Sequence, residues 1–314
     1  MSGDLPSVVA LSGGVGGARL ARGLHLHLSP GQLACIVNTG DDFEHLGLYV
    51  CPDLDTVLYT LADCHNPGTG WGRRDETWTF MSVLAQLGGP DWFRLGDGDL
   101  ALHVERTRRL RSGVPLSVVT RDLCASFGVA SALLPMTEAP VRTLVHTREG
   151  ILEFQDYFVR RRAAPVVTAL EYAGATDARP SPAVIEALAS PALEAIVVCP
   201  SNPWLSVDPI LAVHGLREAL RDRGVPVVAV CPLIGGRAVK GPTGKIMAEL
   251  GLEATPAAIA AHYGDLLDGM VIDETDRDWA SRCGLPTAVA QTLMSDDARR
   301  VALAEAVLRF ARSL

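Results

Sequence analysis

Short runs of apolar, largely β-branched residues recur along the chain, each followed by a polar or glycine-rich stretch and then by a segment with helical spacing. Val8-Val9-Ala10-Leu11 meets Ser12-Gly13-Gly14-Val15-Gly16-Gly17 and then a helix-forming run over residues 18–28. Residues 33–38 read as a second strand, ending in Asn38-Thr39-Gly40-Asp41-Asp42, and 46–50 as a short apolar run. Cys51-Pro52-Asp53-Leu54-Asp55-Thr56 then leads into a helix over 57–62, with Asp53 or Asp55 as its N-cap. From residue 65 the texture changes. A loop with Gly70-Trp71-Gly72 precedes helical stretches near 76–87, 99–112 and 115–127, and then strands over 143–147 and 151–159, hinged at Glu149-Gly150. Alternation resumes with helix 182–188, strand 195–199, helix 208–223, strand 225–230, helices 243–250 and 256–263, strand 269–272 and a closing helix over 296–314.

Strands alternating with helices predict an α/β fold, a Rossmann-like, mainly parallel sheet with an inserted, largely helical cap. The expected division is 1–64 for the first part of the core, 65–165 for the cap on the acceptor side, and 166–314 for the rest of the core. In a parallel sheet the loops after the strands gather at one edge. The glycine-rich and polar loops around Gly13–Gly17, Asn38–Asp42, Ser201-Asn202 and 235–245 should therefore share one crevice.

The first glycine loop suits a phosphate, because glycines let backbone amides approach a ligand and the following helix offers free N–H groups. A tight turn that only helps the helix pack is the plainer reading. G-x-G-x-x-G fits at Gly14 and Gly16, but Arg19 occupies the third glycine position. The second strand also ends in Asn38 where an acidic ribose ligand would stand, which disfavours an ordinary NAD site. A different nucleotide or diphosphate site stays open.

Composition narrows the classes. The chain has 314 residues, 48% of them hydrophobic and 20% charged, with a net charge of −8. That balance fits an enzyme-like globular protein and argues against a nucleic-acid surface. Arg106-Thr107-Arg108-Arg109 and Arg160-Arg161-Arg162 read as solvated faces. No leader-like or membrane-spanning run is visible, so a cytoplasmic protein without a membrane partner is expected. Seven cysteines without C-x-x-C spacing read as buried free thiols. Only two lysines, Lys240 and Lys245, stand against twenty-six arginines, and both lie in one glycine-rich loop. That loop is no P-loop, since Ile246 replaces the Ser or Thr and a glycine is missing. Either lysine could still hold a phosphate as a point charge.

Asp41, Asp42, Asp53 and Asp55 form two carboxylate pairs at loop positions, suited to a hard cation bridging to substrate phosphates, although each could also cap a turn or helix. No nucleophile elbow or zinc-binding helix is present, which points to catalysis without a covalent step.

Ser12-Gly13-Gly14-Val15-Gly16-Gly17-Ala18-Arg19, Asn38-Thr39-Gly40-Asp41-Asp42, Cys51-Pro52-Asp53-Leu54-Asp55-Thr56, Gly70-Trp71-Gly72, Asp75-Glu76-Thr77-Trp78, Trp92-Phe93-Arg94-Leu95-Gly96-Asp97 and Pro200-Ser201-Asn202-Pro203 together resemble the 2-phospho-L-lactate transferases. The resemblance spans essentially the whole chain in order. It implies a step of coenzyme F-420 biosynthesis, in which a phospholactyl-type group passes from a guanosine diphosphate adduct to the ribityl hydroxyl of the 5-deazaflavin Fo, releasing GMP with magnesium present. It further implies small-molecule partners and a homodimer. By position, Asp41 and Asp53 are the leading metal ligands and catalytic carboxylates, with Asp42 and Asp55 behind them. Gly13, Gly14, Gly16, Gly17, Asn38, Ser201, Asn202, Lys240 and Gly241 fall to the donor side, with Lys240 also catalytic. Trp92, Asp97 and Asp99 fall to the deazaflavin side. The donor acid, whether lactate, enolpyruvate or glycerate, is left open. The alternative is a nucleotide-sugar-binding regulatory protein of the gluconeogenesis-factor type.

Overall fold

The computed structural model describes residues 5–314. Its elements in chain order begin with β1 (Val8–Ser12), α1 (Gly14–His27), β2 (Leu33–Val37), β3 (Phe43–His45), β4 (Leu48–Val50) and α2 (Pro52–Leu61). Three helices follow, α3 (Thr79–Gln86), α4 (Asp97–Arg111) and α5 (Leu116–Ser126), then β5 (Ala132–Pro135), β6 (Arg142–Thr147), β7 (Gly150–Glu153) and β8 (Val167–Ala173). The remainder is α6 (Pro182–Leu188), β9 (Ala195–Val198), α7 (Asp208–Ala212), α8 (Leu216–Arg221), β10 (Val227–Val230), the short pair β11 (Leu233–Ile234) and β12 (Arg237–Ala238), α9 (Thr243–Glu249), α10 (Pro256–Tyr263), β13 (Gly269–Asp273), β14 (Thr287–Ala290) and α11 (Asp297–Ala311).

Seven strands form one parallel sheet in the order β14-β13-β10-β9-β1-β2-β5. Counted within the sheet from the β5 edge, this is 3-2-1-4-5-6-7, a Rossmann-like order that reverses between β1 and β9. Loops on either side of that reversal diverge and leave a crevice beyond the strands' C-terminal ends.

Alternation along the strands feeds two cores. Val9 and Leu11 of β1, Ile36 of β2 and Ile196 of β9 pack on one face beneath α6 to α10. Val8, Ala10, Cys35 and Val197 pack on the other beneath α1, α2 and α11. Strands buried on both faces read as unbroken apolar runs, which is why they were visible in the sequence.

Three differences from the expected layout have local causes. The split at 64/65 and 165/166 cuts through sheets. β5, inside the block 65–165, pairs with β2 in the central sheet, whereas β8, beyond it, pairs antiparallel with β6. A four-residue edge strand is too short to carry a periodic signal. Second, the strands expected over 143–147 and 151–159 are present as β6 and a shorter β7, but β8, where no strand was expected, joins them in the three-stranded sheet β7-β6-β8. Third, the helix expected over 208–223 breaks into α7 and α8: Val213 turns extended with ψ 125°, and Gly215 at φ 79° starts α8 in a new direction.

Gly16 and Gly17 serve close approach. A Cβ on Gly16 would collide with the Pro200 carbonyl, and one on Gly17 with the hydroxyls of Ser201 and Ser12. Backbone cannot yield there without separating α1 from the loop after β9. Gly16→Ala is therefore expected to lower the melting temperature by several degrees, whereas Gly244→Ala, with open space around its Cβ, should not. Thermal melts of both variants check this.

Candidate functional site

The crevice at the strand reversal has a volume of about 630 Å³, within the range of small-molecule sites. Its floor comes from the loops after β1, β2, β9, β10 and β14; its walls come from the inserted region, through Trp71, Phe93, Arg94, Leu95, Phe154 and Phe158. One wall is thus aromatic and suited to a planar ring, while the floor is polar.

Asn38 organises the floor. Its Oδ1 accepts from the Gly40 amide at 2.7 Å, which fixes the turn after β2. Its Nδ2 donates to Asp53 Oδ2 at 2.9 Å and points to Asp41 Oδ1 at 3.4 Å. The other Asp53 oxygen accepts from the Gly14 amide at 2.6 Å, tying the start of α2 to the start of α1. Asp41 and Asp53 therefore face each other across one amide. Burial, then Asp53 and Asp42, push the Asp41 carboxyl well above its usual range, and burial raises Asp53 to about 6. Two desolvated carboxylates without a cation of their own suit a hard divalent ion, which takes one or two carboxylates and completes its shell with phosphate and water. Among the described residues no group of three or more His, Cys, Asp or Glu side chains converges as a full ligand set.

Asp42 and Asp55 stand differently. Asp42 is buried, and neither carboxylate oxygen has a hydrogen-bond partner; it does not line the crevice. Burial raises its pKa to about 7. A carboxyl raised in the folded state stabilises most below its ordinary pKa near 4 and loses that contribution as pH rises through about 7. In metal-free protein the melting temperature of Asp42→Asn, relative to wild type, should thus climb from pH 4.5 to pH 8, the ionised group costing roughly 4 kcal/mol at the upper end. A difference flat across pH would contradict this.

Asp55 lines the crevice, but its charge is matched. Both oxygens are gripped by the buried Arg106, one through Nη1 at 3.0 Å and the other through Nη2. Arg106 Nη1 also meets His103 Nδ1 at 3.3 Å. Arginine only donates, so that nitrogen accepts and the ring carries its proton on Nε2. Burial lowers His103 to about 4, which keeps it neutral. Its Nε2 lies 3.7 Å from Asp99 Oδ1, and that oxygen accepts the Tyr59 hydroxyl at 2.6 Å. Burial, followed by the charge of Asp55, raises Asp99 to about 7. A neutral or half-charged group at the crevice wall results, fixed by α2 and α4.

The structure brings Gly13, Gly14, Gly16, Asp41, Asp53, Asp55, Asp99, Ser201, Asn202, Lys240 and Gly241 to the crevice. Gly17, Asn38, Asp42, Trp92 and Asp97 are not on its lining. Trp92 packs against Phe43, His45 and Phe93, with Arg160 stacked on it; its neighbour Phe93 reaches the crevice instead. Asp97 accepts from the Thr79 and Phe80 amides and so caps α3. Asn202 caps the turn after it through the Trp204 and Leu205 amides, and Ser201 Oγ bonds Gly13 on both sides, donating to its carbonyl at 2.8 Å and accepting from its amide at 3.2 Å. Lys240 Nζ donates to the Thr69 carbonyl at 2.7 Å, whereas Lys245 pairs with Glu249 and the Pro165 carbonyl. All seven cysteines are free, six of them buried.

Sequence reasoning placed Arg106 on a solvated face, and the structure corrects that. Leu102, His103, Arg106 and Thr107 form the buried stripe of α4, a helical spacing filled by polar residues and so invisible to an apolar pattern. Tyr59, His103, Phe154 and Phe158 were missed for similar reasons; each is one unremarked residue within a regular element.

A family model described as 2-phospho-L-lactate transferase CofD matches residues 8–303. A phosphoenolpyruvate transferase of Streptomyces griseus is 42% identical, covering 98% of this chain and 99% of that protein. A 2-phospho-L-lactate transferase of Methanosarcina mazei is 37% identical, covering 96% and 99%. In three dimensions the fold is similar to that of a UPF0052-family protein from Bacillus halodurans, with a TM-score of 0.65 at 18% identity over 97% of this chain and 99% of that one. No helix among the described residues is long and apolar enough to cross a membrane. Matched from β1 into α11 by the family model and over nearly its full length by such relatives, the chain belongs to the 2-phospho-L-lactate transferase CofD family and is a transferase of a phosphate-containing group.

Proposed function

We propose that this chain acts in coenzyme F-420 biosynthesis, transferring a phosphoenolpyruvyl group from its guanosine diphosphate adduct to the ribityl hydroxyl of Fo, with GMP leaving. The observation that carries this reading is the crevice itself. A polar floor at the strand reversal, where phosphates bind in such sheets, faces an aromatic wall that accepts a planar ring. The enolpyruvyl donor is favoured by the relatives: those named phosphoenolpyruvate transferase include proteins 45% and 42% identical, against 37% and 36% for two named 2-phospho-L-lactate transferase.

The reaction needs a hydroxyl oxygen to attack phosphorus in line with the departing phosphate of GMP, and no covalent enzyme intermediate. Asp41 and Asp53 would hold magnesium, which offsets negative charge on the diphosphate when bound. The Val15 and Gly16 amides in the first turn of α1 and the Lys240 ammonium face the donor phosphates, supplying fixed positive ends. Phe93, Phe154 and Phe158 hold the deazaflavin ring so that its ribityl chain reaches toward the floor, which turns a two-substrate encounter into a local one. Asp99, poised near neutral pH on the acceptor wall, can take the hydroxyl proton. A cytoplasmic homodimer is part of the same reading.

Chromatographic detection of GMP tests it. Release should require donor, Fo and magnesium together. GMP formed without Fo would make the protein a hydrolase, and none under any condition would reject the proposal.

A further inference from the structure

Four side chains that carry or could carry positive charge line the crevice: Arg19, Arg94, His103 and Lys240. Three have protein partners. Arg94 stacks over Trp78 with its Cζ 4.4 Å from the ring centre. His103 is bonded to Arg106, and Lys240 is bonded to the Thr69 carbonyl. Arg19 has neither a hydrogen bond nor an ion pair among the described residues, although it is partly buried on α1.

Its neighbourhood makes this costly. Arg22, one turn on, and Arg300 of α11 both bond the same carboxylate, Asp297, which makes no bond to Arg19. Burial and then the charge of Arg300 act against the Arg19 cation, and Arg19 in turn acts against Lys240. A half-desolvated guanidinium among like charges loses stability unless an anion arrives. Position 19 is also where a dinucleotide fingerprint carries its third glycine, for close helix packing. Here that position presents a charged fork beside Gly14, Gly16 and Lys240.

We infer that Arg19 is the residue that grips the donor's diphosphate through two of its oxygens, a binding role distinct from that of the Asp41–Asp53 pair. The inference deepens the donor reading given above and rests on it. Arginine suits this task because its planar fork makes two parallel bonds where a lysine makes a point contact. Donor selection follows: nucleoside diphosphate compounds are held, and nucleoside monophosphates more weakly.

Calorimetric titration of GDP into the full-length protein in EDTA, beside steady-state kinetics, tests it in wild type, Arg19→Gln and Arg19→Lys. Arg19→Gln should weaken GDP by about 10–100-fold and raise the donor KM by a similar factor, leaving the Fo KM unchanged. Arg19→Lys should recover only part of this. Because the substitution removes like-charge repulsion, the Gln variant should melt no lower than wild type. Equal GDP affinity in wild type and Arg19→Gln overturns the role of Arg19 while leaving the donor reading intact, as does a marked loss of stability without a change in affinity. A wild-type protein that neither binds GDP nor turns over removes both.

Discussion

Asp53→Asn is expected to lower kcat by about 10²–10³-fold, the scale of losing a principal source of charge stabilisation at a reacting centre, while the protein stays folded. Asp53 sits where three constraints meet. One oxygen accepts the Gly14 amide, the other accepts Asn38, and both face Asp41 in a desolvated floor. Asparagine keeps an acceptor for Gly14 but presents an amide toward the Asn38 amide, a loss of about 1–3 kcal/mol for an unsatisfied buried donor. Removing one of two like charges offsets part of that, so the melting temperature should move by only a few degrees. The diagnostic readout is the magnesium dependence: the variant should need more magnesium for its residual rate. Wild-type turnover with unchanged magnesium dependence would take Asp53 out of the reacting centre.

The second large effect is on stability. Arg106→Met should destabilise the protein by about 3–5 kcal/mol, because it leaves the Asp55 carboxylate buried beside a neutral histidine. Asp55 and Arg106 have side-chain exposures of 7% and 2%, so water at the crevice edge offsets little of the lost guanidinium. Methionine fills much of the volume, which makes lost charge the main cause. Adding Asp55→Asn to Arg106→Met should then recover most of the stability, whereas Asp55→Asn alone strands the arginine and should cost a comparable amount. Denaturant unfolding of the single and double variants measures this cycle. If the double variant is as unstable as the sum of the singles, the pair does not act as a unit.

The two sites also show how far the sequence could be read. Strands buried on both faces, such as β1 and β10, announce themselves as apolar runs, and the loops that follow them fall at one sheet edge by topology alone. Asp41 could be placed at that edge for this reason, whereas Asp53, inside α2 after the β3–β4 hairpin, was singled out by its carboxylate pairing and the family resemblance. What could not be read is which neighbours each side chain chooses. Asp42 and Asp55 lie one and two positions from Asp41 and Asp53, yet one is buried beside the Cys51 thiol and away from the crevice and the other meets an arginine 51 residues away. Trp92 and Phe93 are similarly adjacent, and the chain presents the second of them to the crevice. Such choices depend on long-range packing between α2, α4 and the β3–β4 hairpin. Arg19 was visible from the start as a departure from a glycine pattern, and only its surroundings give that departure a meaning.

The most direct test of transfer from a guanosine diphosphate adduct to a deazaflavin is mass spectrometry of the products. Purified protein would be incubated with Fo and magnesium and, in parallel, with the guanosine diphosphate adducts of enolpyruvate, lactate and glycerate. The expected result is a phosphodiester of Fo with GMP in equal amount, formed fastest from the enolpyruvyl donor. Absence of any Fo phosphodiester from all three donors, with a nucleotide sugar bound in the crevice instead, would contradict it.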